Sequence, residues 1–151
     1  MERKYHRLEL SLIISVAILL VLFLVAYQTR PYHNQDFIND LQTHGANVSL
    51  LGEGNAWRIF YINGTYYNLS GESVQIFDYP TQSQTNYFIN QIDSEGYKVG
   101  KGQVYWKAPP HFFNKKNMII LYVGNSTNTL SLLESVYGKQ FAGTEYTLSK
   151  N

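Results

Sequence analysis

Eighteen consecutive residues, Leu10–Tyr27 (LSLIISVAILLVLFLVAY), carry no charge and only two hydroxyl-bearing serines, Ser11 and Ser15. As a helix rising ~1.5 Å per residue this run is about 27 Å long, close to the ~30 Å hydrocarbon core of a bilayer. The sequence predicts a single transmembrane helix over residues 8–28. A tail of residues 1–7 precedes it and a short linker of residues 29–33 comes after it. Glu9 falls at the inner edge, where its carboxylate reaches headgroups and avoids the cost of deeper burial. A cleaved leader has a shorter apolar stretch, roughly 7–15 residues, with small residues before the cut. Here the run is longer, and Leu24, two positions before Ala26, is not small. Arg3, Lys4 and Arg7 outnumber the basic residues just beyond the helix, so the N-terminus is expected in the cytoplasm and the rest outside.

The remainder of the chain is long enough for one domain and too short for two ordinary ones. The expected domain spans residues 34–143, with a polar tail over 144–151. Thirteen tyrosines and eight phenylalanines favour a sheet-rich structure, because aromatic side chains suit a pleated, half-buried surface. The absence of cysteine excludes disulfides, thiolate metal sites and a cysteine nucleophile. A cysteine-free chain rich in Asn, Gln and Tyr reads as bacterial. From Pro31 onward acidic and basic residues nearly balance, and no basic stripe points to nucleic acid as a partner.

Phe37, Ile38 and Leu41 form the apolar face of a predicted helix near 34–44, closed by Gly45. Strands are expected at 48–51, with a turn over 52–55, and at 57–62. Asn63-Gly64 then reads as a two-residue hairpin turn into a strand over 65–69. Another strand covers 73–79. Thr81 and Gln84 make a capping-box pattern for a helix reaching Ile92. Next come a strand over 103–107 and the continuous apolar run 118–123, expected as a central strand covered on both faces. A last helix is expected over 127–137. Residues 73–95 and 117–139 align without a gap as strand, cap and helix. That similarity predicts an α+β fold: an antiparallel sheet with helices packed on one face, ferredoxin-like or related.

The segment Trp106, Lys107, Ala108, Pro109, Pro110, His111, Phe112, Phe113 lies between two predicted strands. Adjacent prolines fix the backbone and reduce the entropy lost on docking, while Trp and Phe supply contact area. Two readings stand. Trp106, Pro109, Pro110, His111, Phe112 and Phe113 form a partner- or ligand-binding loop, or the segment is a structural crossover with its phenylalanines on the core. The aromatics Trp57, Tyr61, Tyr66 and Tyr67 pose the same choice between a binding face and core. His6, His33, His44 and His111 show no helical zinc spacing, so no metal or other cofactor is expected. No Gly-x-Ser-x-Gly elbow and no Ser-x-x-Lys signature appears in the outer domain. An enzyme would have to use dispersed residues, such as His111 with Asp78.

Residues 71–79, Trp106 with Ala108–Phe112, Ile120–Gly124, Leu132–Glu134 and the stretch Gly138–Gly143 together resemble a group of small uncharacterised bacterial membrane-anchored or secreted proteins. The resemblance covers about half the chain. It implies location and fold and transfers no activity.

The functional expectation is a non-enzymatic interaction module of the cell envelope. It is anchored in the lipid bilayer and binds a membrane-proximal protein partner through the Pro-Pro-His-Phe segment or a sheet edge. The alternative is a surface sensor for a small ligand or glycan, with a pocket lined by Trp57, Trp106 and nearby tyrosines.

Overall fold

The computed structural model describes residues 2–54 and 60–145, with the side chains of residues 2–11 and of residue 28 left aside. The chain divides into two units, Met1–Arg30 and Pro31–Asn151. The first is helix α1 (Glu2–Thr29), which runs straight through the segment expected as a separate tail. From Leu12 to Tyr27 its large apolar side chains are all exposed. Thr29 Oγ1 donates back to the Val25 carbonyl at 3.0 Å, and the Arg30 guanidinium lies 5.5 Å from the Tyr27 ring centre. Among the described residues no helix is long and apolar enough to cross a membrane.

The second unit is α+β. It comprises α2 (Asn34–Thr43), β1 (Val48–Gly54), β2 (Gly64–Leu69), β3 (Glu72–Asp78), α3 (Gln82–Ile89), β4 (Lys98–Val99), β5 (Gly102–Gln103), β6 (Pro110–Lys115), β7 (Met118–Val123), α4 (Thr127–Tyr137) and β8 (Ala142–Gly143). Six strands form one antiparallel sheet in the order β1-β2-β3-β7-β6-β8, and β4 and β5 pair separately. Local chemistry sets the elements. Thr81 and Ser126 cap α3 and α4 by accepting the backbone N–H of Gln84 and Thr129. Ser70 and Gly71 both take positive φ, the geometry of the tight turn between β2 and β3. Met118–Val123 is the central strand its apolar run predicts, buried almost throughout.

The sheet carries a core on each face. On one, Phe37 and Leu41 of α2 and Leu130 and Leu133 of α4 cover Leu69, Ile76, Phe113, Ile120 and Tyr122. On the other, Phe88 and Ile89 of α3, with Val99 and Val104, cover Phe77, Phe112, Ile119 and Leu121. The expectation of helices on one face is therefore corrected: α3 and α4 lie on opposite faces. The reason is topological. β3 and β6 both pair antiparallel with β7, so α3 joins parallel strands across β7. Likewise α4 joins β7 to β8 across β6. Both crossovers step in the same direction along the sheet but leave from antiparallel strands. With one shared hand, as such crossovers almost always have, their helices fall on opposite sides. A ferredoxin-like sheet would return its last strand to the free edge of β3. Here β2 occupies that edge, so β8 pairs with β6 instead.

Other expectations shift as well. Residues 52–54 continue β1 and make no turn. Asn63-Gly64 is not a hairpin turn: residues 60–62 bend and Gly64 opens β2. Phe60 is fully buried against Phe77, ring centres 4.3 Å apart, which draws the chain off the sheet. Gly64 is required for a different reason, because a Cβ there would lie 2.5 Å from the Gln75 side chain. The folded unit also starts earlier than residue 34, since Tyr32 is buried in the core and was expected in the linker. Residues 103–107 form a strand only at Gln103. The C-terminal segment adds β8, and Thr144 still donates its N–H to the Pro110 carbonyl at 3.1 Å.

Candidate functional site

The segment singled out by its prolines is not a surface loop over its second half. Pro110, His111, Phe112 and Phe113 open β6, between β7 and β8, and all four are buried. Proline is tolerated there because it is the first residue of the strand. Phe112 and Phe113 point to opposite faces and enter the two cores. Trp106 is half-buried; its indole N–H donates to the Gly96 carbonyl at 2.7 Å and its ring meets Phe112 edge-on at 6.0 Å. Pro109 is half-buried, and its carbonyl accepts the Gly124 N–H at 2.9 Å. Pro110–Phe113 are thus strand and core residues, with Phe112 and Phe113 packed inside as the second reading expected. Among the other aromatics, Tyr67 is core against Phe37 at 5.3 Å, and Tyr61 is exposed. Trp57 lies outside the described residues.

His111 Nδ1 lies 2.7 Å from Gln140 Oε1, and Nε2 lies 3.1 Å from the Gly124 carbonyl. Burial lowers its pKa, against those two hydrogen bonds, which raise it. A group whose folded pKa is depressed contributes stability that is full above its unfolded value, ~6.5, and is lost as pH falls through the folded value. For a histidine this means that the neutral ring is the form the fold accommodates, and protonation works against it. Acidification from pH 7.5 should therefore reduce stability, with a slope of at most about 1.4 kcal/mol per pH unit for this one group. Urea denaturation across pH 5–7.5 would show the slope, and His111→Asn should flatten it. An unchanged slope in that variant would remove His111 as its source.

The pairing of His111 with Asp78 does not form. Their cross-strand partners on β7 are Tyr122 and Met118, roughly 13 Å apart along the strand, and they approach β7 from opposite sides. Asp78 instead belongs to a network the sequence did not signal. The two N–H groups of buried Asn117 Nδ2 are shared among three acceptors: Asp78 Oδ1 (2.6 Å), the Tyr79 carbonyl (2.8 Å) and the Tyr32 carbonyl (3.1 Å). Its Oδ1 accepts the Tyr32 N–H at 2.6 Å. The side-chain amide thus pairs with Tyr32 as a neighbouring strand would. His33 Nδ1 stands 3.7 Å from Asp78 Oδ2. Burial raises the Asp78 pKa, opposed by His33 and Asn117, which favour the carboxylate. The Tyr32 hydroxyl donates to Asp40, and burial pushes its pKa far up. Among the described residues no group of three His, Cys, Asp or Glu side chains is placed to hold a metal ion.

The exposed apolar surface of the folded unit includes β1, the terminal strand of the sheet. Its register slips between Leu50 and Gly52, leaving Leu51 as an extra residue. Leu50 is 65% and Leu51 57% exposed, two neighbouring leucines on the terminal strand. The bulge bends such an edge and re-aims its side chains. Sequence reading saw only a short strand here, because alternation does not reveal which strand is terminal.

No family model, no curated protein and no solved structure matches this chain.

Proposed function

We propose that the chain is an envelope protein anchored by its N-terminal helix, with its α+β domain outside the membrane as a non-enzymatic interaction module. The uncharged run Leu10–Tyr27 and the exposed apolar side chains of α1 support the anchor. The basic residues Arg3, Lys4 and Arg7 support the orientation. The observation that carries the binding surface is the pair Leu50 and Leu51 on the sheet edge. The bulge at Leu51 and the charge of Glu53 blunt part of this edge, and the exposed apolar pair left on it supports a contact surface. The short connection after α1 makes another membrane-proximal protein the partner. Its apolar side chains cover the two leucines.

A photoreactive residue placed at Leu50 or Leu51 of the full chain, in its native membrane, tests this reading. It should trap one discrete membrane protein, and Leu51→Asp should abolish the adduct while the domain stays folded. A control probe at exposed Tyr87 on α3 should trap nothing specific. An adduct at Tyr87 with none at β1 would place the interface elsewhere.

A further inference from the structure

We propose that the α3 face of the sheet carries a second site, independent of the β1 edge, for a small carboxylate that also bears an N–H or O–H donor, as an N-acylated amino acid does. Tyr66, Gln75 and Leu121 stand side by side across β2, β3 and β7. With Ser73, Lys107 and Val123 they line a cleft of about 380 Å³, within the ~300–1,000 Å³ range of small-molecule sites. The sequence opens this cleft. β1 places Gly52 opposite Tyr66 and Gly54 opposite Gly64, so neither of these two positions supplies a side chain to fill the space.

The polar groups of the cleft are unusual. Gln75 is only 4% exposed. Its Nε2 donates to the Gly54 carbonyl at 3.1 Å, which fixes the amide and turns Oε1 away from that bond. Gln75 Oε1 and the Tyr66 hydroxyl are both buried and have no hydrogen-bond partner among the described residues. A buried polar atom left unpaired costs roughly 1–3 kcal/mol, so two bordering one cleft point to a ligand that completes them. An amide oxygen only accepts, and its counterpart must donate. A tyrosine hydroxyl donates to an anion, and Lys107 at the exposed rim brings a positive charge. Leu121 and Val123 give an apolar floor for a short side chain. The ligand therefore presents a donor to Gln75, a carboxylate to Tyr66 and Lys107, and an aliphatic group to β7.

The test is a titration of the full chain in lipid nanodiscs, monitored by NMR at the Gln75 side-chain amide. The probes are N-acetylalanine, its methyl ester and a tetrapeptide with a free C-terminal carboxylate. The acid should shift the Gln75 signal saturably, and the ester should bind about tenfold more weakly or worse. Tighter binding of the tetrapeptide would assign the site to a peptide end; equal affinity would assign it to a free small acid. Tyr66→Phe should weaken the acid about tenfold while leaving the thermal midpoint unchanged or higher, since the hydroxyl has no partner to lose among the described residues. Lys107→Met should weaken the acid and leave the ester unaffected. The proposal is overturned if no probe shifts Gln75, if ester and acid bind alike, or if both variants bind the acid as the parent does.

Discussion

Phe112→Ala is expected to destabilise the folded unit by about 3–5 kcal/mol, the usual loss when a fully buried phenylalanine is truncated. Phe112 has no exposed surface, and its ring meets Trp106 and Phe141 with centres 6.0 Å away. Gly96 is packed so closely that a Cβ there would lie 2.9 Å from the Phe112 ring, so little is free to collapse into the cavity. Thermal unfolding of the full chain should show a midpoint lower by roughly 10–20 °C. A surface binding loop would behave differently: the same change would leave stability within about ±0.5 kcal/mol and alter only a partner's affinity. A loss below about 1 kcal/mol would return the segment to the surface.

Asn117→Ala carries the second large effect, expected at about 3–4 kcal/mol from the buried groups it orphans. Truncation leaves the Tyr32 N–H and carbonyl and the Tyr79 carbonyl without Asn117 as their partner, and each buried group so orphaned costs about 1–3 kcal/mol. It also removes the amide that favours ionised Asp78. Hydrogen exchange gives the sharper readout. The Tyr32 amide should lose protection before the amides of β3 and β7 do. If Tyr32 stays protected in the variant, the network does not hold this segment.

Much of this fold was legible locally. The apolar run 118–123, the cap Thr81 and the helix expected over 127–137 each matched the element that forms. The inferences that failed need tertiary information. Asn63-Gly64 carries the strongest short hairpin signal, yet residues 60–62 bend and Phe60 enters the α3-side core. The gapless match of residues 73–95 with 117–139 describes local patterning well. It says nothing of which face each helix takes, because that depends on where β2 and β8 sit. Two adjacent prolines suggested a rigid exposed loop, whereas the four buried residues after Pro109 are what make β6 a core strand. The Tyr66–Gln75 cleft was invisible for the same reason: a glutamine in a strand reads as a solvent-facing residue until its neighbours on β1 prove to be glycines.

The Asn117 clamp also has a mechanical meaning. A pull transmitted along the chain from α1 enters the domain through Pro31 and reaches the buried Tyr32. There the load falls on the two hydrogen bonds to a single side chain, supported by the buried tyrosine ring. Asn117 passes that load to the turn between β6 and β7, in which it sits. Asn117 would thus act as a strain relief, letting go of Tyr32 under tension while the six-stranded sheet stays intact.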